Sequence, residues 1–193
     1  MKSFQLDECM DQKRLVRSCA EEGLVQVARF PAELKTAEAR RSGTQKDSYV
    51  LQRFLSRDSA FLTSDRPIVE ANPGFVPDRH CGIIILSNSK PTPTPSGKDF
   101  QKVLETFKLL VPDWHSLPWD NSIVTMTQDW IEVCHLENGS SQKDAFLFLS
   151  DPELPGQLHY HLTNNAHRSP HETDQSNKLI ESRTGHRPSD SSG

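Results

Sequence analysis

Apolar runs with the length of β-strands recur along the first two thirds of this chain. Most of these runs end at charged, glycine or proline residues, as expected for buried strands that are bounded by turns. The predicted strands are 3–7, 24–30, 60–63, 81–86, 122–127 and 130–134. The fourth of them is apolar almost throughout, which is typical of a central parallel strand.

The stretches between these strands carry apolar residues at helical spacing. Helices are predicted over about 10–22, 47–57 and 98–111. Strands that alternate with helices form parallel pairs joined by crossovers, so the pattern predicts an α/β domain built on a mostly parallel sheet. The last two strands are separated only by Gln128 and Asp129, and they therefore predict a closing hairpin.

The last third of the chain is less regular. The run 145–149 predicts an additional edge strand, and the residues from 162 onward are polar with almost no apolar side chains. Such a composition favours disorder, because too little apolar surface is available for burial. The chain is therefore predicted to comprise a domain over 1–138, an edge-strand extension over 139–161 and a disordered tail over 162–193.

Charge and composition narrow the functional classes. The net charge is −4, the pI is near 6.1 and the mean hydropathy is −0.62. A protein that coats nucleic acid needs clustered Lys and Arg, which this acidic balance does not favour. The four cysteines form no Cys-x-x-Cys pair and are interpreted as reduced thiols. Because the chain shows no signal-peptide core and no membrane-length apolar run, we predict a cytoplasmic protein.

Three acids occupy positions at which open α/β sheets bind ligands. Asp7 and Asp65 follow the first and third predicted strands, and Asp47 opens the helix before the third strand. Asp47 lies three and four residues before Val50 and Leu51, so it shares the inward face of that helix. Ligands bind outside the carboxyl ends of parallel strands, so the three carboxylates are predicted to converge on one divalent cation.

Ordinary structural roles compete with these assignments. Asp47 also suits the start of a helix, and Asp65 suits a turn after a strand. Glu8 suits a solvated or structural position. Three tryptophans have ring faces that could stack on nucleic-acid bases, although core packing in the loop and the hairpin is their more ordinary role. They are Trp114, Trp119 and Trp130.

The order of these features resembles the PIN-like nuclease superfamily, in particular its toxin-like branch. The matching features are Leu6-Asp7-Glu8, Asp47 with Val50-Leu51, Leu62-Thr63-Ser64-Asp65, Gly82 through Leu86, and Ile123 through Val133. Each motif is short, and the order and spacing of the five carry the resemblance. It covers about residues 3–136 and implies a PIN-like three-layer domain with a central, mostly parallel sheet.

The resemblance implies an endoribonuclease of the toxin type that cleaves RNA with a carboxylate-held Mg²⁺ or Mn²⁺. Its catalytic and metal-binding acids would be Asp7, Asp47 and Asp65, with Glu8 as a further metal ligand. The residues that would contact the attacking water or the substrate are Thr63, Ser64 and Arg66. Toxin-type nucleases are typically neutralised by an antitoxin protein, so such a partner is also implied.

The chain departs from the family pattern at the fourth acid. Glu70 is the nearest carboxylate after Asp65, and Asn72 offers only a neutral ligand. A smaller set of carboxylates holds a divalent cation less tightly. The alternative interpretation therefore keeps the PIN-like fold without catalysis, as a protein-interaction module.

Overall fold

Seven strands form one mixed sheet in the computed structural model of this chain, which describes residues 3–10, 26–36, 47–55, 59–65, 67–77, 79–87, 97–137 and 139–168. The strands are β1 (Ser3–Leu6), β2 (Gln26–Ala28), β3 (Ser59–Thr63), β4 (Ile83–Leu86), β5 (Ile123–Met126), β6 (Trp130–Glu137) and β7 (Ser140–Phe148). Their order across the sheet is β2-β1-β3-β4-β5-β6-β7. The first five strands pair in parallel, whereas the β5–β6 and β6–β7 pairs are antiparallel. The predicted α/β class, with a mostly parallel sheet and a closing hairpin, is therefore confirmed.

The described part of the chain contains four α-helices. They are α1 (Asp47–Leu55), α2 (Pro67–Glu70), α3 (Gly97–Leu110) and α4 (Leu154–His167). Short 3₁₀ turns lie at Glu8–Met10, Ala32–Lys35, Pro73–Phe75 and Trp114–Ser116. Helices α1 and α3 match two predicted helices, and the one predicted over about 10–22 lies almost wholly outside the described residues. None of the helices described here is long and apolar enough to cross a membrane.

Helices cover both faces of the sheet. We call face A the side on which α3 and α4 pack, and face B the side on which α1 and α2 pack. Side chains alternate along each strand, so Leu6, Leu62 and Ile84 point into the core of face A, while Phe61 and Ile85 point into that of face B. The result is a sheet between two helical layers.

Two crossover connections run in the same direction along the sheet but on opposite faces. The connection from β2 to β3 passes through α1 on face B, and that from β4 to β5 passes through α3 on face A. The two crossovers therefore differ in handedness, although right-handed connections predominate strongly in parallel sheets. The buried strand residues of the face B core described here come from β3, β4 and β5, and the partly buried Cys134 and Leu136 of β6 pack against them.

The C-terminal part is more ordered than its composition predicts. Strand β7 spans nine residues, well beyond the predicted run at 145–149. Three leucines are buried at every fourth position of α4, which sets them on one helix face. These are Leu154, Leu158 and Leu162. Residues 162–167, which the composition assigns to the disordered tail, instead form the last turns of α4.

A buried histidine fixes the turn that leads into β4. His80 is 6% exposed, and its Nδ1 accepts the Gly82 backbone N–H at 3.1 Å. The Asn121 side-chain oxygen accepts the His80 backbone N–H at 3.2 Å and ties this turn to the loop before β5. Burial lowers the pKa of His80 from 6.5 to about 4, although the charge of Asp120 opposes the shift. His80 is therefore neutral near pH 7, with its proton on Nε2.

The burial of His80 predicts a loss of stability in acid. The unfolded chain takes up a proton at His80 near pH 6.5, whereas the folded chain resists protonation down to about pH 4. Between these values the unfolded state binds more protons than the folded state. The free energy of unfolding therefore decreases as the pH is lowered, by about 3 kcal/mol in total. Urea unfolding across this window tests the expectation. His80→Asn is the control, since it keeps an acceptor without titrating, and an equal acid dependence in both proteins would contradict the assignment.

Candidate functional site

The carboxyl ends of β1 and β3 lie side by side and place two predicted site residues in contact. Leu6 pairs with Leu62 in the sheet register, and the Asp7 backbone N–H donates to the Leu62 carbonyl at 2.9 Å. Alternation along the two strands turns Asp7 and Thr63 toward face B. Both therefore lie on one face at the edge where open α/β sheets bind their ligands.

Three protein donors hold the Asp7 carboxylate, which belongs to a residue only 8% exposed. Its Oδ1 accepts the Glu8 backbone N–H at 2.7 Å. Its Oδ2 accepts the Thr63 hydroxyl at 2.7 Å and the Cys9 thiol at 3.2 Å. A carboxylate offers about four acceptor positions, so the hydrogen bonds from the described residues leave about one on Asp7. The protein itself thus fixes the orientation of this carboxylate.

Thr63 connects Asp7 to Asp65. The Thr63 side chain is fully buried, and its Oγ1 accepts the Asp65 backbone N–H at 3.0 Å while donating to Asp7. Asp65 is half-buried. The sequence predicts that Thr63 contacts water or substrate. In the structure the Thr63 hydroxyl, which is the only donor of this side chain, donates to Asp7 instead. Thr63 therefore orients the Asp7 carboxylate and binds the backbone of Asp65.

Cys9 belongs to this cluster, although no motif in the sequence singled it out. The residue as a whole is exposed, but its sulfur lies against Asp7, Thr63 and Ser64, and the Ser64 hydroxyl donates to it at 3.1 Å. Burial raises the pKa of the Cys9 thiol, and the charge of Asp7 raises it further. The thiol therefore stays protonated near neutral pH and donates a hydrogen bond, which does not suit a nucleophile. Its position two residues after a strand-end aspartate is the one sequence signal that could have found it.

The structure describes the remaining predicted site residues less completely. Asp47 opens α1 as predicted, but its side chain lies outside the described residues. Glu8 is exposed beside the cluster. Arg66 and the side chain of Glu70 also lie outside the described part, and Asn72 donates from Nδ2 to a backbone carbonyl of α2 at 2.9 Å. The third acid of the predicted set therefore stays a prediction.

The described residues do not form a closed protein cage for a cation. Among the residues that the structure describes, no group of three or more His, Cys, Asp or Glu side chains is arranged to hold a metal ion. Mg²⁺ commonly keeps several waters and is bound by one or two carboxylates together with substrate phosphates. Asp7, whose three described hydrogen bonds leave about one acceptor position on its carboxylate, suits this mode of binding.

Removal of the Thr63 hydroxyl is expected to destabilise the fold. Thr63→Val keeps the shape of the side chain but leaves Asp7 without one donor and the Asp65 N–H without its acceptor. Unpaired groups of this kind cost about 1–3 kcal/mol when they are buried. Chemical unfolding of Thr63→Val and Thr63→Ser measures the difference, because serine retains the hydroxyl. A valine variant as stable as the serine variant would argue against this role.

Comparison with known proteins adds no constraint on the function. No protein-family model, no curated protein and no solved structure matches this chain.

Proposed function

We propose that this chain is a metal-dependent endoribonuclease of the toxin type with a PIN-like fold. One observation carries the proposal: at the carboxyl ends of two adjacent parallel strands, the Thr63 hydroxyl donates to the Asp7 carboxylate and accepts the Asp65 backbone N–H. Ligands of open α/β sheets bind at this edge. The two aspartates are also the strand-end positions at which the resemblance to the toxin-like branch expects metal-binding acids.

Electrostatics explains why a cation is needed at this edge. RNA phosphates are negatively charged, so two carboxylates alone would repel the substrate. Asp7 and Asp65, with Asp47 as the proposed third ligand, would hold Mg²⁺ or Mn²⁺. The positive charge of the ion would make the electrostatic potential at this edge favourable for a phosphate. When bound, the ion makes a coordinated water more acidic and stabilises negative charge on the scissile phosphate.

The surrounding protein groups keep the proposed ligands in place. The Glu8 N–H and the Thr63 hydroxyl fix the Asp7 carboxylate from two sides. The Cys9 thiol adds a third donor, and Ser64 in turn donates to Cys9. Groups that are already oriented need little rearrangement as charge develops in a reaction. The role that we propose for this network is to hold Asp7 in a fixed position at the sheet edge.

The proposal includes the partners that such an enzyme requires. Its substrate is RNA, which it would meet in the cytoplasm, and an antitoxin protein would restrain it. The net charge of −4 does not favour broad binding to phosphates. The contact with RNA is therefore proposed to be local and centred on the edge near Asp7.

A protein-interaction module with the same fold and no catalysis is the second candidate. It is favoured by the hydrogen bonds of Asp7, which fill about three of its four acceptor positions without a cation. The Asp7 carbonyl also accepts the Met10 backbone N–H at 3.1 Å, so this residue organises the turn after β1. The two candidates differ in their response to metal.

Cleavage of single-stranded RNA by the purified chain distinguishes these candidates. We expect cleavage in the presence of Mg²⁺ or Mn²⁺ and none in EDTA, because the carboxylates alone cannot stabilise charge on the phosphate. A cooperative thermal transition of the same preparation shows that the protein is folded. If the folded protein cleaves no RNA with either metal, the ribonuclease proposal fails and the interaction module is favoured.

A further inference from the structure

Three aromatic side chains of β6 and β7 lie together on one face of the sheet. Trp130 of β6 stacks on Phe146 of β7, with ring centroids 4.9 Å apart and planes inclined by 28°. Phe148 meets Phe146 edge-on at 5.4 Å. Phe146 and Phe148 are 44% and 57% exposed, and Trp130 is partly exposed. We call these three side chains the aromatic ladder.

The aromatic ladder lies at the same edge and on the same face as Asp7. Trp130 follows β5 after a short turn and pairs with Phe148, so both lie at the carboxyl edge of the parallel strands. Ile131 and Leu147 point into the core of face A, and alternation therefore turns the ladder to face B. Three strand spacings of about 4.8 Å separate β3 from β6, so the ladder lies roughly 14 Å from the end of β3.

A cation and a cavity flank the aromatic ladder. The Lys143 Nζ lies 5.8 Å from the centroid of the Phe146 ring and 2.5 Å from the Glu132 Oε1. Lys143 and Glu132 also line a cavity of about 450 Å³, whose apolar wall includes Ile85 and Ile123. This volume lies in the range of small-ligand pockets. Face B of β6 and β7 thus combines ring faces, an ion pair and a recess.

The exposed area of the ladder suits nucleobases better than a protein partner. Aromatic side chains present about 150–250 Å² each when fully accessible, so these three partly exposed rings together offer roughly 250 Å². A stable protein interface buries about 800 Å² on each partner. Single bases are small enough for the ladder, and each has a π-face that stacks on an aromatic ring.

We propose that the aromatic ladder is a base-stacking platform for single-stranded RNA. The inference rests on the proposed ribonuclease function, since the shared edge and face are what select RNA as the occupant. Bases stack on the partly exposed ring of Trp130 and on the exposed ring of Phe148, while the Lys143–Glu132 ion pair lies beside the Phe146 ring. A duplex would present its backbone rather than its base faces to these rings, which restricts the platform to single strands.

Binding of a fluorescent oligouridylate of about twelve nucleotides, measured by anisotropy in EDTA, tests the platform without cleavage. Phe148→Ala is expected to weaken binding by at least about fivefold, and Phe148→Trp to preserve it, because stacking requires a ring rather than a particular residue. Tyr160→Ala is the matched control, since Tyr160 is an exposed aromatic residue of α4 on the opposite side of the sheet. Its replacement should leave the affinity unchanged.

The outcomes separate the platform from the ribonuclease proposal. If Phe148→Ala binds RNA more weakly while Phe148→Trp and Tyr160→Ala bind like the wild-type chain, the platform is supported. This holds even if the wild-type chain cleaves no RNA with Mg²⁺ or Mn²⁺. Equal binding by the wild-type and Phe148→Ala proteins overturns the platform, while metal-dependent cleavage would leave the ribonuclease proposal standing. Sedimentation of both proteins gives a further outcome: a dimer that Phe148→Ala dissociates would assign the ladder to contact between two copies and overturn the RNA assignment.

Discussion

Replacement of Asp65 by asparagine is expected to reduce metal-dependent RNA cleavage by at least about 100-fold. The change keeps the size of the side chain but removes one negative charge, and Mg²⁺ and Mn²⁺ prefer carboxylate oxygens. Loss of groups that only orient metal ligands costs about 10–100-fold in affinity or activity, so loss of a ligand should cost at least the upper value. The initial rate of cleavage at a limiting Mn²⁺ concentration measures the effect.

Asp129→Asn is the matched control for this experiment. Asp129 is exposed on the turn between β5 and β6, at the same edge of the sheet. Its backbone N–H and carbonyl make the contacts to Thr127 and Leu149, so the substitution leaves those hydrogen bonds in place. This variant should cleave at the wild-type rate. Full activity of Asp65→Asn would remove Asp65 from the proposed metal ligands.

Gly82→Ala is expected to lower the free energy of unfolding by about 2–5 kcal/mol. Gly82 has a φ of +106°, and a Cβ there would lie 2.5 Å from the Trp119 carbonyl oxygen and 2.7 Å from the Trp119 Cβ. Trp119 is fully buried and its Nε1 donates to the Trp114 carbonyl at 3.0 Å, so it has little room to move. Left-handed backbone strain contributes about 1–2 kcal/mol and overpacking about 1–3 kcal/mol.

Two other glycines separate these contributions. Gly139 has a φ of +72° and nothing within 4 Å of a built Cβ, so Gly139→Ala reports backbone strain alone, about 1–2 kcal/mol. Gly74 also has open space and no positive φ, so Gly74→Ala should change stability little. Urea unfolding of the three variants gives the comparison. A Gly82→Ala protein no less stable than Gly139→Ala would show that Trp119 yields to the added methyl group.

The hydrophobic pattern predicts most of the sheet because its buried runs are continuous. Strands β1, β3, β4 and the β5–β6 hairpin lie where the pattern places them. Helix α4 was not predicted, since its buried leucines are separated by polar residues that lower the local hydropathy. The order of the strands and the face chosen by α3 were not predictable either, because contacts between distant segments decide them.

The strand-end acids were predictable, but their hydrogen-bond partners were not. Asp7 and Asp65 follow buried strands in the sequence, whereas the bond from Thr63 to Asp7 depends on the register between β1 and β3. The turn that follows β1 places the Cys9 thiol against the Asp7 carboxylate. Asp47 lies at the start of a helix as predicted, while the direction of its carboxylate stays a prediction.

The sequence pattern does not distinguish the buried tryptophans from the partly exposed one. Trp114 and Trp119 are buried in the core, as ordinary packing predicts. Trp130 lies on the more open face of the hairpin, stacked on Phe146. The difference depends on which face of β6 a helix covers, and α4 covers face A. No local pattern in the sequence contains this information.

The metal dependence of the unfolding midpoint tests most directly the claim that Asp7 and Asp65 share a cation. A ligand that binds only the folded state stabilises it by about 2.7 kcal/mol at about 100 times its Kd. We expect the midpoint of the wild-type chain to rise with Mn²⁺ concentration, that of Asp129→Asn to follow it, and that of Asp65→Asn to rise less. Equal midpoints of the wild-type chain in Mn²⁺ and in EDTA would contradict the account.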